Sequence, residues 1–244
     1  MHVSGSMRLL HQFTAHGEVR LIEAHIDGSL DLTGARIESD SASGLALDLG
    51  EAVIDGSVFV IPDELSGRRP HVLGRIDMGG ARIGGQFLVR GARLEAQRGV
   101  PVGSSYSRYR TAGTVLSAPR LTVGAEMTLD DSCQVLGGVD LSMSELSSLS
   151  VGPGCALDAP ASTALDLTNA QLLSTCTIAE KVTVQGTVRL SGARIHGSLC
   201  LRGAVLSAPA GRSLAAAQGV TVDGEVELQG LVLQRHLADP VRDP

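Results

Sequence analysis

The amino-acid sequence predicts an all-β protein, a single parallel β-solenoid of about eight coils with loops protruding along one edge. Two observations predict this fold class. A unit with the pattern apolar-x-apolar-x-x-small-x-apolar-x-Gly recurs about every 11 residues along most of the 244-residue chain. Apolar residues also never follow the 3.6-residue period of a helix for three turns, which disfavours a stack of leucine-rich helices.

The repeat is clearest in two short strings. Gly-Ala-Arg followed by Ile or Leu occurs at residues 34–37, 80–83, 91–94 and 192–195. Ile or Val followed by x-Gly-x and an apolar residue occurs at residues 26–30, 54–58, 83–87, 135–139, 184–188, 195–199 and 222–226. We place sixteen units in eight pairs, starting near residues 19, 30, 47, 58, 76, 87, 116, 127, 139, 155, 165, 176, 188, 199, 215 and 226.

Each unit predicts two very short strands, because apolar and polar residues alternate over two or three positions before a Gly or Ala corner. Such strands are stable only when each pairs with its equivalent one coil above and below. The inward Leu, Val and Ile side chains then form continuous columns. At roughly 4.8 Å per coil, eight coils give a rod about 40 Å long.

The repeat also predicts the domain boundaries. Residues 1–17 are expected to form an N-terminal cap with Leu9, Leu10 and Phe13 on its apolar side, and residues 18–233 form the solenoid. The tail, residues 234–244, contains two prolines and is expected to end the stack. Polar segments between the pairs are predicted to protrude as loops, at residues 38–44, 62–74, 95–114 and 207–213.

Composition excludes several classes of protein. With 43% hydrophobic and 19% charged residues, the chain is not disordered. Its net charge of −6 argues against direct contact with nucleic acid or anionic membranes. No apolar run is long enough to span a membrane and no signal peptide is visible, so we predict a cytoplasmic protein. Among its four cysteines, Cys155 and Cys176 are expected to be free thiols in one inward column.

Catalytic motifs are absent from the sequence. There is no G-x-S-x-G, G-K-[ST] or H-E-x-x-H string, and the seven histidines are scattered. The glycine-rich residues 79–85 lack the buried strand and following helix of a dinucleotide site, and the repeat already explains them. We therefore assign no catalytic residue, no cofactor and no metal ligand.

Several strings resemble known repeat families. The Ala-x-Ile/Leu corners resemble pentapeptide-repeat proteins, and residues 26–30 and 222–226 resemble bactofilins, which form polymeric β-solenoid scaffolds. Residues 28–37 are most similar to the Gly-x-Leu-x-Leu-x-Gly-Ala-x-Ile units of actinobacterial repeat proteins, which are often labelled oxidoreductases. The resemblance implies a square, right-handed solenoid, although the protruding loops depart from these families. Because solenoids serve unrelated activities, it implies little about function.

Residues between two inward positions must point outwards. In the first unit of each pair these are Arg20, Asp48, Asp77, Ser117, Asp140, Asp166, Arg189 and Ala216. The four aspartates therefore share one side, either as a solvated surface that keeps the rod soluble or as an acidic ladder. The resemblance to pentapeptide-repeat proteins implies a role for such a ladder, because some of these proteins imitate DNA to bind topoisomerases.

The second units and one loop supply further candidates. Their outward residues are predicted to be Asp31, Phe59, Leu88, Thr128, Ala156, Thr177, Cys200 and Glu227, a less polar side suited to a partner or subunit contact. The longest loop contains Tyr106, Arg108, Tyr109 and Arg110, residue types that are enriched at binding hot spots. The alternative is that residues 95–114 form an ordinary flexible loop with no role in binding.

These observations favour a non-catalytic scaffold or protein-interaction module that binds a protein partner or itself. Two alternatives stay open. One is an acidic DNA mimic that binds a DNA-processing protein through Asp48, Asp77, Asp140 and Asp166. The other is a β-helix enzyme whose site is formed at the loop edge, with Asp48, Asp77 and Arg82 as its candidate residues.

Overall fold

The computed structural model describes residues 1–40, 43–97, 113–209 and 211–236. Within these ranges the chain forms 31 β-strands, and no residue is helical. None of the described residues therefore belongs to a helix that could cross a membrane. All pairings between strands are parallel, which confirms the predicted all-β, parallel solenoid.

The chain passes along four sides in turn, and each circuit of four sides is one coil. Side 1 contains β1 (His2–Val3), β5 (His25–Ile26), β9 (Val53–Ile54), β13 (Arg82–Ile83), β22 (Gln171–Leu172), β25 (Arg194–Ile195) and β29 (Thr221–Val222). Side 2 contains β2 (Met7–Arg8), β6 (Leu30–Asp31), β10 (Val58–Val60), β14 (Phe87–Arg90), β23 (Cys176–Ile178), β26 (Leu199–Cys200) and β30 (Val226–Glu227).

Sides 3 and 4 form the second sheet. Side 3 contains β3 (Thr14–His16), β7 (Arg36–Glu38), β11 (His71–Leu73), β15 (Arg93–Glu95), β18 (Gln134–Leu136), β27 (Val205–Pro209) and β31 (Val232–His236). Side 4 contains β4 (Val19–Arg20), β8 (Leu45–Asp48), β12 (Arg75–Asp77), β16 (Thr114–Ser117), β19 (Gly138–Asp140) and β28 (Ala215–Ala216). Four strands run through a corner: β17 (Thr122–Asp130) and β20 (Glu145–Val151) on sides 1 and 2, β21 (Ala156–Asp166) and β24 (Thr183–Arg189) on sides 3 and 4.

The eight predicted coils begin on side 4 at β4, and residues 1–17 add strands before them. Strands β1, β2 and β3 pair in register with β5, β6 and β7, so we number the coils from β1, with β1–β4 as coil 1. The string Val3-Ser4-Gly5-Ser6-Met7 has the repeat spacing that sequence analysis overlooked. A capping role for residues 1–17 stays a prediction, and most of the predicted tail, residues 237–244, lies outside the described residues.

The core consists of the predicted inward columns. On side 1 the column Ile26, Ile54, Ile83, Val123, Leu146, Leu172 and Ile195 is at most 2% exposed in each of coils 2 to 8. Burying each such side chain stabilises the fold by about 1.5–3 kcal/mol. Coil 9, which begins at β29, has no coil above it among the described residues, and Val226, Leu228 and Leu233 are about half exposed there.

The middle of the chain corrects two predicted positions. Ser150, and not Ala156, continues the outward column of side 2, because it pairs with Thr128 and Thr177. Cys155 lies beside Cys133 at the corner just before side 3, so it does not share a column with Cys176 on side 2. The cause is a shortened corner, since two residues separate Leu146 from Leu149 where three separate Ile54 from Val58.

Candidate functional site

The corner between sides 3 and 4 alternates between two forms along the stack. In coils 1, 3, 5 and 7 the chain turns this corner with a glycine of positive φ: Gly17, Gly74, Gly137 and Gly186. In coils 2, 4, 6 and 8 it carries an insertion instead: residues 39–44, 96–113, 159–162 and 208–214. Since neighbouring coils lie about 4.8 Å apart, the insertions repeat about every 10 Å.

Packing against the insertions explains why glycine occupies the alternate coils. A Cβ atom on Gly186 would lie 2.5 Å from the carbonyl oxygen of Ala159 and 2.9 Å from that of Ser162. Both oxygens belong to the insertion of coil 6, which lies directly against the corner of coil 7. The predicted edge of loops is therefore this corner.

The predicted loop at residues 62–74 does not lie at this edge, and its residues 71–73 form the strand β11. Residues 61–70 join β10 to β11 at the corner between sides 2 and 3, and they fold back onto coil 1. Arg68 donates to the hydroxyl of Thr14 at 2.9 Å, and the carboxylate of the buried Asp63 lies 3.2 Å from Nδ1 of His11. This insertion thus ties the first coil to the third.

A cleft of about 580 Å³ opens between the insertions of coils 4 and 6. Its lining combines apolar residues with two acids: Glu95, Ala96, Gly113, Leu136, Gly137, Asp158, Ala159, Pro160, Ala161 and Ser162. Oδ1 of Asp158 is buried and has no hydrogen-bond partner among the described residues. The four predicted recognition residues Tyr106, Arg108, Tyr109 and Arg110 belong to the insertion of coil 4, but they lie outside the described residues.

Side 4 brings the predicted aspartates into one column. Strand pairing gives the order Arg20, Asp48, Asp77, Ser117, Asp140, Asp166, Arg189 and Ala216, with one residue per coil. Ser117 is buried, and the aspartates on either side of it are half-buried. The column thus has the order that sequence analysis predicted, but it is less exposed than a freely solvated surface.

Each aspartate of this column closes the turn that follows it. The Oδ1 atoms of Asp48, Asp77, Asp140 and Asp166 accept hydrogen bonds of 2.9–3.1 Å from the backbone N–H groups of Gly50, Gly79, Ser142 and Thr168. An aspartate that binds the N–H two residues on is a common turn former. The repeated Asp therefore has a structural role at the corner between sides 4 and 1.

The electrostatics of the column centre on Asp77. Burial raises the pKa of the Asp77 carboxyl, and the charges of Asp48 and Asp140 add to this shift. The Gly79 N–H group and the guanidinium of Arg75, 3.6 Å away, oppose it. At the upper end, Nη1 of Arg189 lies 3.6 Å from Oδ2 of Asp166. Arginines therefore offset part of the negative charge.

Comparison with known proteins assigns this chain to no family. Neither a protein-family model nor a curated protein matches this sequence. Among solved structures, the chain is similar to HetL, a pentapeptide repeat protein involved in heterocyst differentiation regulation from the cyanobacterium Nostoc sp. strain PCC 7120. The identity is 15% and the TM-score is 0.22, over 94% of this chain and 89% of that chain. The strand pairing, and not this likeness, therefore establishes the solenoid.

Side 2 carries a shallow groove over its less polar outward residues. It has a volume of about 430 Å³, and its lining includes Leu88, Arg90, Glu126, Thr128 and Ser150. Phe59 and Leu88 are half-buried, so neither presents a fully exposed apolar surface. A partner contact at this side stays a prediction.

Sequence analysis missed one group of chemically competent side chains. His2, His25 and Asp27 place their donor atoms within 4.8 Å of one another on side 1. The prediction treated residues 1–17 as a cap, so His2 was never aligned with His25. The repeat string at residues 3–7 is the signal that would have shown the alignment.

Proposed function

We propose that this protein is a non-catalytic scaffold that binds a partner protein along the corner between sides 3 and 4. The observation that carries this proposal is the strict alternation of glycines and insertions over eight coils. Such spacing turns one edge of a rigid rod into a row of chain segments about 10 Å apart. Binding residues commonly lie on loops that a rigid scaffold positions.

The composition of this edge supports a protein partner. The cleft between the insertions of coils 4 and 6 is lined by Leu136, Ala159 and Pro160 and carries the acids Glu95 and Asp158. The longest insertion contributes two tyrosines and several arginines. Apolar contacts with a few polar groups, together with Tyr and Arg, are typical of protein-binding surfaces.

A variant that replaces residues 96–113 with a single glycine tests this proposal. Residues 96–113 of coil 4 and Gly137 of coil 5 occupy equivalent places between paired strands, so the shortened corner has a precedent in the same chain. We expect immobilised wild-type protein to capture a partner at least tenfold more strongly than the variant. A matched control, Glu64→Ala in the insertion at residues 61–70, should capture it as the wild type does. Equal capture by wild type and shortened variant would contradict the proposal.

The DNA-mimic alternative has weaker support, because each of the four carboxylates already accepts a backbone hydrogen bond within the chain. Changing all four to Asn removes the charge and keeps an oxygen that can accept the same hydrogen bond. Full partner binding by this variant would exclude mimicry, whereas its loss without unfolding would favour mimicry.

End-to-end self-association is a second candidate function, favoured by the two ends of the rod. The last coil exposes apolar residues that continue the inward columns, including Val226 and Leu228. On side 2, Arg8 in coil 1 and Glu227 in coil 9 occupy the same outward column. A second copy stacked head to tail would therefore place opposite charges on neighbouring coils.

Light scattering and small-angle X-ray scattering over a concentration series test this second candidate. We expect the average molecular mass in solution to rise with protein concentration. Glu227→Arg should suppress this rise, and the double variant Arg8→Glu with Glu227→Arg should restore it. A mass that stays monomeric over the whole series would exclude end-to-end association.

A further inference from the structure

Side 1 carries a cluster of two imidazoles and two carboxylates on coils 1 to 3. His2 and His25 are paired in register, and their rings stack with centroids 5.0 Å apart. Asp27 follows His25 by two residues in coil 2. Asp55 follows Val53, the residue that pairs with His25, by two residues in coil 3. Nε2 of His2 is 2.6 Å from Oδ1 of Asp27, and Nε2 of His25 is 3.6 Å from the same oxygen and 3.3 Å from Oδ2 of Asp55.

We propose that His2, His25 and Asp27, with Asp55 as a fourth ligand, bind a divalent transition-metal ion such as Zn²⁺. Zinc binds imidazole nitrogen and carboxylate oxygen at about 2.0–2.2 Å in a tetrahedral arrangement, which places neighbouring donor atoms roughly 3.3 Å apart. Of the two separations that involve Nε2 of His25, the one to Asp55 matches this value and the one to Asp27 exceeds it by about 0.3 Å. The contact between His2 and Asp27 must lengthen by less than about 1 Å when a metal ion replaces the hydrogen bond. Asp55 lies outside the group of three residues whose donor atoms are all within 4.8 Å of one another, so its side chain must turn towards His2 and Asp27 to complete the site.

The donor set and its exposure fit this class of ion. Imidazole ligands suit Zn²⁺, Cu²⁺ and Ni²⁺, whereas Mg²⁺ and Ca²⁺ prefer sites built only from oxygen. The four side chains are between 41% and 58% exposed, so an ion can reach them without unfolding. The backbone positions of the ligands are set by parallel pairing of β1, β5 and β9. Little ordering of the chain is then needed on binding.

Metal binding at this cluster would have a structural consequence. Coil 1 has no coil before it among the described residues, and side 1 of that coil contributes only the two-residue strand β1. An ion shared by His2, His25, Asp27 and Asp55 would link coils 1, 2 and 3. It would therefore stabilise the N-terminal end of the rod by binding only the folded state.

Titration of chelator-treated full-length protein with ZnCl₂, followed by calorimetry, tests the proposal. Visible absorption with CoCl₂ reports the coordination geometry independently. We expect one equivalent of Zn²⁺ to bind, a tetrahedral Co²⁺ spectrum, and a higher Tm in the presence of Zn²⁺. His2→Ala, His25→Ala and Asp27→Asn should each weaken Zn²⁺ binding at least tenfold, and circular dichroism should confirm that these variants fold.

His196 provides the matched control. It lies on side 1 and its Nδ1 atom is 2.9 Å from Oδ2 of Asp223, yet it forms no three-ligand group with the described residues. His196→Ala should therefore bind Zn²⁺ as the wild type does. The proposal is overturned if wild-type protein binds no Zn²⁺ at a hundredfold molar excess. It is also overturned if folded His2→Ala and His25→Ala variants bind as tightly as the wild type.

Discussion

A Cβ atom on Gly137 would lie 2.6 Å from the carbonyl oxygen of Gly113. Gly113 ends the insertion of coil 4, and Gly137 turns the same corner in coil 5. The φ angle of Gly137 is +147°, which other L-residues rarely adopt. The backbone of one coil thus occupies the space that a side chain in the next coil would need.

We expect Gly137→Ala to destabilise the protein by about 2 kcal/mol or more, because it adds a steric contact with backbone to an unfavourable φ. Urea denaturation followed by circular dichroism measures the change. Gly5→Ala is the control, because a Cβ atom there meets nothing within 4 Å. If both variants unfold at the same urea concentration as the wild type, packing at this corner is looser than the structure indicates.

Replacing residues 159–162 with one glycine should preserve the fold. Strand β21 pairs with β24 through Asp158–Gln185 before this corner and through Thr163–Thr187 after it. Between these two pairs, β21 has the four residues 159–162, whereas β24 has only Gly186. The shortened corner then matches that of coil 7, so strand pairing on sides 3 and 4 is retained. We expect cooperative thermal unfolding and an unchanged far-ultraviolet spectrum. Loss of the β-sheet signal would mean that the insertion itself is required for folding.

The ionisation of Asp77 should lower stability at neutral pH. Its pKa is raised in the folded protein, mainly by burial, so the folded state binds its proton more tightly than the unfolded state. The contribution of Asp77 is therefore most favourable in acid and is lost as pH rises through the raised pKa. Asp77→Asn avoids ionisation and keeps an oxygen to accept the Gly79 hydrogen bond. It should have a higher Tm than the wild type at pH 7.

Two comparisons separate charge from hydrogen bonding at this position. At pH 3 the advantage of Asp77→Asn over the wild type should disappear, because both side chains are then neutral in the folded state. Asp77→Ala should cost about 1 kcal/mol at pH 3, because the Gly79 N–H group loses its partner. An Asn variant that is less stable than the wild type at pH 7 would show that the carboxylate is favourable there.

The four cysteines should differ in reactivity. Cys133, Cys155 and Cys176 are buried free thiols, and Cys200 is half-buried. Burial raises the pKa of Cys176 to about 12, and the hydrogen bond that the Cys155 thiol donates to Cys133, together with burial, raises the pKa of Cys155. The hydrogen bond with Cys155 lowers the pKa of Cys133, so it is burial that keeps a reagent from this thiol. We therefore expect a thiol reagent to label only Cys200 in the native protein and all four in denaturant. Cys200→Ser should abolish labelling of the native protein. Labelling of Cys133, Cys155 or Cys176 in the native protein would contradict their burial.

The fold was predictable because each side of the solenoid contributes its own inward residue, which makes the period visible along the chain. The spacing from Ile26 to Ile54 and Ile83 is regular enough to set the register without any knowledge of the coils between them. The prediction failed where one residue is missing from the corner after Leu146, because every later residue of that unit was then assigned to the wrong side.

The candidate site was less predictable, for two physical reasons. Sequence analysis found three of the four insertions at this corner but missed residues 159–162. It also could not show which insertions share a corner, because that depends on which of the four sides precedes each one. The cluster at His2 and His25 joins residues that are 23 positions apart in sequence, and it becomes visible only when coil 1 is recognised as a coil.

The alternation at the corner of sides 3 and 4 has a consequence for how such a chain can change its length. Removing one of the coils with a glycine corner would bring two insertions onto adjacent layers, about 4.8 Å apart, where each insertion now packs against a glycine. Removing or duplicating two coils together keeps every insertion next to a glycine. We therefore expect a chain that loses a glycine coil alone to fold less well than one that loses that coil together with a neighbouring coil.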